Sequence, residues 1–258
     1  MYKVAFFDVD GTLLSEIDRS MHESTKEAVQ RLIDKGIHVV VTTGRPYSLC
    51  SQFNTLGINT IISANGAHIK CGETVINKSV LSSEIVHDLS EFAALHGHGV
   101  SYFTEDFAMN GIAAHNGRVM QALSETLHLE KYPEKSRDLS EEIYCLCLYA
   151  DEIEAQKFLE RYPALTFERF HGYVINVLED SKVSKLTAIQ KVLEHLNISK
   201  LEAIAFGDGG NDIEMLQYVG LGVAMGNGGE ELKRRADFVT TKASEGGISY
   251  ALKKLRII

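Results

Sequence analysis

The apolar run Val4-Ala5-Phe6-Phe7 passes without a break into Asp8-Val9-Asp10-Gly11-Thr12-Leu13-Leu14. That junction constrains the chain more than any other stretch. Four consecutive apolar residues read as a strand buried on both faces, as in a covered parallel sheet. Two carboxylates then stand at the strand's mouth. Alternation along an extended chain aims residues i and i+2 to one side, so Asp8 and Asp10 can converge on one point. Buried carboxylates need a partner, and a hard divalent cation suits them. Gly11-Thr12 lets the chain turn away sharply.

A strand–helix–strand rhythm follows. Ser24-Thr25-Lys26-Glu27 reads as a capping box opening an amphipathic helix that closes at Gly36. Residues 38–42 form a second buried strand, ending in Thr43-Gly44-Arg45-Pro46, and residues 60–63 a third, followed by Asn65-Gly66. The rhythm returns with a helix over 183–196, a strand over 203–206 and a short helix over 213–219. Segments 221–225, 238–240 and 248–255 complete that half. Such alternation implies right-handed crossovers and a parallel sheet. Between about Leu81 and Asp180 the strands (99–104, 143–150, 166–169, 173–178) alternate apolar with polar residues. That predicts an antiparallel sheet with one wet face and helices on the other, in a domain inserted into a core built from both chain ends. The linkers are expected near Val80 and Ser181.

A chain of 258 residues can hold one large α/β domain or two smaller ones. Its formal charge of -9, with no basic stripe, excludes a general nucleic-acid binder. Anionic substrates must therefore be met by a local device. The N-terminus is polar by Asp8 and no later segment reaches spanning length, so neither a leader peptide nor a membrane span is expected. Cys145 and Cys147 sit two apart in the apolar run 143–149 and read as packing residues on one strand face. With no C-x-x-C spacing, the expected compartment is a reducing cytoplasm.

Open parallel sheets bind ligands beyond the carboxyl ends of their strands. Four polar clusters fall at such places: Asp8/Asp10, Thr43-Gly44, the Lys185 region and Gly207-Asp208-Gly209-Gly210-Asn211-Asp212. Asp208 can join Asp8 and Asp10 around one cation, and an all-oxygen set suits Mg²⁺ better than zinc. Thr43 offers a hydroxyl, Gly44 an unshielded N–H, Lys185 a point cation and Asn211 a further donor. Together they describe a site for a phosphoryl group plus Mg²⁺, with one carboxylate left to attack. Two unit negative charges 4 Å apart repel by about 4 kcal/mol at an effective dielectric near 20. A carboxylate approaching a phosphate dianion meets roughly twice that, worth about a millionfold in rate. Cations must offset it. No G-x-x-x-x-G-K-[ST] or G-x-G-x-x-G is present, so nucleotide use is not indicated.

These four clusters, in this order, resemble the motifs of the haloacid dehalogenase-like superfamily, and more narrowly its Cof-type phosphatases, which carry a large α/β cap inserted after the third core strand. Val223-Ala224-Met225-Gly226-Asn227-Gly228 and Ala236-Asp237-Phe238-Val239-Thr240 also resemble stretches near the end of that subfamily. The resemblance implies an α/β protein: a Rossmann-like parallel sheet core domain (1–80 and 182–258) with an inserted α+β cap domain (81–181) that selects the substrate. It implies Asp8 as nucleophile and Mg²⁺ ligand, and Asp10 as acid and base that lends its carbonyl to the metal. Asp208 would be the third ligand. The Val9 amide, Thr43, Gly44, Lys185 and Asn211 would hold phosphate, and Asp212 would orient Lys185 and the metal waters. Leu186 stands where the family often has glycine. Asn65 is a candidate substrate contact, as are Arg118, Arg169, His171 and Tyr173 by their chemistry. The expected partner is a small phosphorylated metabolite, with no nucleic acid or membrane, and the expected assembly a monomer or homodimer. A phosphomutase and a phospho-acceptor signalling module are the alternatives.

Overall fold

Runs of β-branched and aromatic residues build the sheet that carries the site. The structure, a computed structural model, describes residues 1–109, 116–127, 141–179 and 182–258, apart from the side chain of Phe170. Its elements begin with β1 (Val4–Phe7), α1 (Glu23–Asp34), β2 (His38–Thr42), α2 (Ser51–Asn54), β3 (Thr60–Ser63), β4 (His68–Cys71) and β5 (Thr74–Lys78). Next come α3 (Ser83–Leu95), β6 (Val100–Phe103), β7 (Phe107–Met109), α4 (Gly117–Leu127), β8 (Cys145–Leu148), α5 (Glu152–Arg161), β9 (Thr166–His171) and β10 (Val174–Leu178). The chain closes with α6 (Lys185–Leu196), β11 (Ala203–Gly207), α7 (Ile213–Tyr218), β12 (Leu221–Ala224), α8 (Glu230–Arg235), β13 (Phe238–Val239) and α9 (Gly247–Lys254). Among the described residues, no helix is long and apolar enough to cross a membrane.

Two units divide the chain. The first comprises residues 1–43, 50–77 and 184–258. Its eight-stranded sheet runs β13-β12-β11-β1-β2-β3-β4-β5. Every neighbouring pair from β13 to β3 is parallel, with Phe7 level with Phe206 on one side and Val41 on the other. All four residues of β1 are fully buried, as the apolar run requires, and the Phe7 and Phe206 rings stack with centroids 4.9 Å apart. Ile189 and Val192 of α6 and Leu216 of α7 pack with Val4, Phe6, Val40 and Ile62 into one apolar layer.

The sheet does not end at β3 as the rhythm suggested. β4 pairs antiparallel with β3, and β5 follows as the half-exposed edge that a short, polar strand makes well. Helix α1 also starts differently. Its N-cap is His22, whose Nδ1 accepts from the Ser24 N–H at 3.2 Å, and Ser24 already lies inside the helix. An imidazole nitrogen here does the work usually given to Ser, Thr, Asp or Asn.

The second unit comprises residues 44–49 and 78–183. Its antiparallel sheet runs β7-β6-β8-β10-β9. One face, with Val100, Tyr102, Leu146, Leu148, Ile175 and Val177, packs on Val86 and Leu89 of α3 and Phe158 of α5. The other face was expected to be wet, and along the three central strands it is not. Ser101, Phe103, Cys145, Cys147 and Asn176 on it are buried too. A Cβ on Gly99 would lie 2.9 Å from Val119 Cγ2, which brings the apolar side of α4 against this face, and the Tyr149 hydroxyl meets Ser101 Oγ there. Polar alternation on these strands therefore marks an interior with small polar groups. Burial pushes the Cys147 thiol up to about 12 and that of Cys145 well above its ordinary value, as packing residues require. The expected linker near Ser181 lies outside the described residues.

Candidate active site

Parallel strands deliver their carboxyl ends to one edge of the sheet. Asp8 follows the last residue of β1, Thr43 that of β2 and Asp208 that of β11. Lys185 is the first residue of α6, fixed by Ser184, whose hydroxyl accepts from the Thr187 N–H at 3.2 Å while Thr187 Oγ1 accepts from the Ser184 N–H at 3.1 Å. Two glycines make the approach possible. Gly66 has φ +103° and passes so near the Ser184 carbonyl that a Cβ would lie 2.3 Å from its oxygen. Gly11 has φ +80°, and a Cβ there would lie 2.2 Å from Asp208 Oδ2. Neither position accepts an L side chain.

At the centre Lys185 Nζ donates to Asp8 Oδ1 at 2.6 Å and to Asp212 Oδ1 at 2.7 Å. Asp212 Oδ2 accepts from the N–H groups of Asp208 and Gly209 at 3.0 and 2.9 Å, which ties down the turn after β11. Asp8, Asp208 and Asp212 each offer a carboxylate oxygen, and these oxygens lie within 4.8 Å of one another. Both oxygens of Asp208 have donors: Thr12 Oγ1 at 3.1 Å on Oδ1 and Asn227 Nδ2 at 3.2 Å on Oδ2. Asn227 Nδ2 also donates to the Gly11 carbonyl at 2.8 Å, and its Oδ1 accepts from the Ala243 N–H at 3.0 Å. One amide thus joins three segments of chain behind the carboxylates.

The charge balance is one-sided, three carboxylates against one ammonium. Burial pushes the Asp8 carboxyl well above its ordinary range; Lys185 opposes this, while Asp212 and Asp208 add to it. Asp208 is pushed up to about 7, by burial first and then by Asp212, against the pull of Lys185 and the Thr12 hydrogen bond. Burial alone would lower Lys185, but Asp212 and Asp8 more than offset it, so the ammonium is held above its ordinary value and stays charged. A buried all-oxygen group with excess negative charge is a fitting seat for Mg²⁺.

The other expected residues are placed as follows. Asp10 does not join the group of close carboxylates; its Oδ1 accepts from Arg19 Nη1 at 3.0 Å, and Asp212 completes the group instead. Val9 is fully buried, its carbonyl accepting from the Thr12 and Leu14 N–H groups. The Thr43 carbonyl accepts from the Asn65 N–H at 3.0 Å, and Asn65, buried with φ 53°, accepts from Asn211 Nδ2 at 3.3 Å. Gly44, next in sequence after Thr43, clusters with the second unit. Leu186 simply continues α6. Arg118 bonds Glu154 at 2.6 and 2.8 Å and lies 4.8 Å over the Tyr173 ring. Arg169 holds the carbonyls of Ala150, His171 and Gly172, and His171 Nε2 lies 2.9 Å from Glu125. Sequence reasoning assigned no role to Arg19 or Asn227, and gave Thr12 only a part in the turn after Asp10. Thr12 carried a signal as part of Asp8-Val9-Asp10-Gly11-Thr12-Leu13-Leu14 and Asn227 as part of Val223-Ala224-Met225-Gly226-Asn227-Gly228, whereas Arg19 lay in neither stretch.

Known proteins resemble nearly the whole chain. A family model described as haloacid dehalogenase-like hydrolase matches residues 5–252. YkrA of Bacillus subtilis (strain 168) is 36% identical over 260 residues, covering 99% of this chain and 98% of that protein. The 5-amino-6-(5-phospho-D-ribitylamino)uracil phosphatase YitU of the same organism is 28% identical, covering 96% and 95%. The solved structure of BT4131, a sugar phosphatase of HAD subclass IIB, superposes with a TM-score of 0.86 at 32% identity, covering 99% and 100%. Sequence and fold agree from end to end, and the chain belongs to the haloacid dehalogenase-like hydrolases.

Proposed function

We propose that this phosphoric monoester hydrolase uses Mg²⁺ to hydrolyse small phosphomonoesters, sugar phosphates or similar metabolites, through an aspartyl phosphate on Asp8. The observation that carries the reading is the buried contact of Lys185 with Asp8 and Asp212 beside Asp208, just past two neighbouring parallel strands. The names of YitU and BT4131, both phosphatases of phosphorylated small molecules, support the substrate class.

Asp8 attacks phosphorus. The bond from phosphorus to the ester oxygen breaks, that oxygen keeps the electron pair, and the Asp10 carboxyl gives it a proton. Asp10, now a carboxylate, takes a proton from a water whose oxygen attacks the same phosphorus. The bond from Asp8 to phosphorus breaks, freeing inorganic phosphate and restoring the Asp8 carboxylate. The Val9 amide, Thr43, Gly44, Lys185 and Asn211 hold the phosphoryl oxygens, and Lys185 offsets their repulsion by Asp8. Asp212 keeps Lys185 and the Asp208 backbone in place. Asp8, Asp208 and the Asp10 carbonyl would hold Mg²⁺, which when bound neutralises charge between carboxylate and phosphate. The inserted unit selects the substrate.

Phosphate release from a panel of phosphorylated metabolites and simple aryl phosphates tests the reading. Asp8→Asn should abolish turnover with the fold intact, and chelation should silence the wild type until Mg²⁺ is restored. Wild-type turnover by Asp8→Asn would overturn it.

A further inference from the structure

Just past β3 the backbone takes a costly course. Ala64, Asn65 and Gly66 have φ 49°, 53° and 103°, three left-handed residues in a row. Glycine enters that region freely and Asn tolerates it, but alanine seldom does. Three ties leave this buried turn, each toward a residue given a phosphate-holding role. The Asn65 N–H donates to the Thr43 carbonyl at 3.0 Å. Asn65 Oδ1 accepts from Asn211 Nδ2 at 3.3 Å. Gly66 passes against the Ser184 carbonyl, one residue before Lys185. A long hydrogen bond between two neutral amides returns less than such a turn costs, so the strain points to what the turn places.

We infer that Asn65 is a positioning residue for Asn211, one that turns the Asn211 amide so that an N–H faces the phosphoryl group. The inference rests on the phosphate-holding role given to Asn211 above. An ionised phosphoryl oxygen only accepts hydrogen bonds, so Asn211 serves it through Nδ2 and would repel it through Oδ1. The amide carries two N–H donors. Asn65 Oδ1 takes one, which keeps Nδ2 on its side and leaves the second for the ligand. At the other end of the amide, Oδ1 lies so near Gly209 that a Cβ there would be 2.7 Å from it. Asn65 is buried and Asn211 partly exposed, so the ligand meets Asn211 while Asn65 holds it from behind. Without Asn65 the amide keeps its donors and loses its aim.

The test is a double-mutant cycle on the Mg²⁺-loaded enzyme with Asn65→Gly, Asn211→Ala and both together. It reads the inhibition constant of orthophosphate against p-nitrophenyl phosphate, with melting temperature as the folding control. Glycine keeps the left-handed backbone and removes only the side chain. Asn65→Gly should raise the constant at least about fivefold, and Asn211→Ala at least as much. The double variant should lie within about twofold of Asn211→Ala, because Asn65 has nothing left to aim. A merely structural role would still cost in the Asn211→Ala background, so losses that multiply would overturn the inference, as would no loss in Asn65→Gly. A crystal structure of the wild type with Mg²⁺ and orthophosphate supplies a check that needs no variant. Asn211 Nδ2 should bond both Asn65 Oδ1 and a phosphate oxygen; an amide turned away from Asn65 would contradict the proposal. An unchanged constant in Asn211→Ala defeats the phosphate-holding role beneath and the inference with it. A loss in Asn211→Ala with none in Asn65→Gly defeats only the role of Asn65.

Discussion

Lys185→Met removes the ammonium at the centre of the site and keeps most of the side chain's length. Lys185 is 2% exposed, Asp8 7% and Asp212 not at all, so water cannot step in for the missing charge. At an effective dielectric near 20, opposite unit charges 2.6 Å apart attract by roughly 6 kcal/mol. That gross figure is reduced because the stranded carboxylates can take up protons. Breaking a buried pair by removing one partner costs about 3–5 kcal/mol in practice, and that range is expected at pH 8 without Mg²⁺. The sign with pH follows from Asp8 and Asp208, both raised in the folded state. A raised carboxyl favours the folded state fully below its unfolded pKa, and that contribution is lost as pH rises through the folded value. Loss of Lys185 removes the cation that opposes both shifts. The penalty should therefore shrink toward pH 5 and grow toward pH 8. Urea unfolding of both proteins at the two pH values measures it, and the double variant Lys185→Met/Asp212→Asn, which removes one buried charge and keeps an oxygen for the Asp208 and Gly209 N–H groups, should recover much of the loss. A penalty below about 1 kcal/mol at pH 8, or one independent of pH, would refute the reasoning, since that is the scale of an exposed pair.

Protons and Mg²⁺ compete for the same carboxylates. With Asp208 near 7 and Asp8 raised, the rise in Tm on adding Mg²⁺ should be larger at pH 8 than at pH 5.5, as differential scanning fluorimetry can check. Asn227→Ala removes a donor from Asp208 Oδ2 and the link to Gly11; it should weaken Mg²⁺ binding by roughly 10–100-fold. Calorimetric titration should detect that loss, and kcat at saturating Mg²⁺ should change far less. An unchanged affinity would mean that Asn227 acts only as a loop clamp.

Legibility in the sequence followed the range over which each cause acts. Asp8, Thr43 and Asp208 were placed correctly at strand ends because a buried run stopping at a polar residue is a local signal, and parallel pairing then brings such ends together. Lys185 needed only a helix start at Ser184. The His22 cap was missed because propensity favours Ser24, while the imidazole acts through one geometry that the sequence does not record. The second sheet's supposedly wet face was missed because α4 covers it from outside the strands' own pattern. Arg19 and Asn227 were missed for a related reason. Each acts on a carboxylate through the fold, Arg19 from a left-handed backbone and Asn227 from 19 residues beyond Asp208. Periodicity carries neither fact.

The central claim is that Asp8 itself takes the phosphoryl group. Acid-quenching the enzyme during turnover of p-nitrophenyl phosphate, reducing the trapped acyl phosphate with borohydride and mapping the peptides by mass spectrometry tests it directly. The account predicts conversion of Asp8 to homoserine, absent in Asp8→Asn and absent when Mg²⁺ is chelated. Steady turnover with Asp8 unmodified, or with the conversion at another carboxylate, would contradict it.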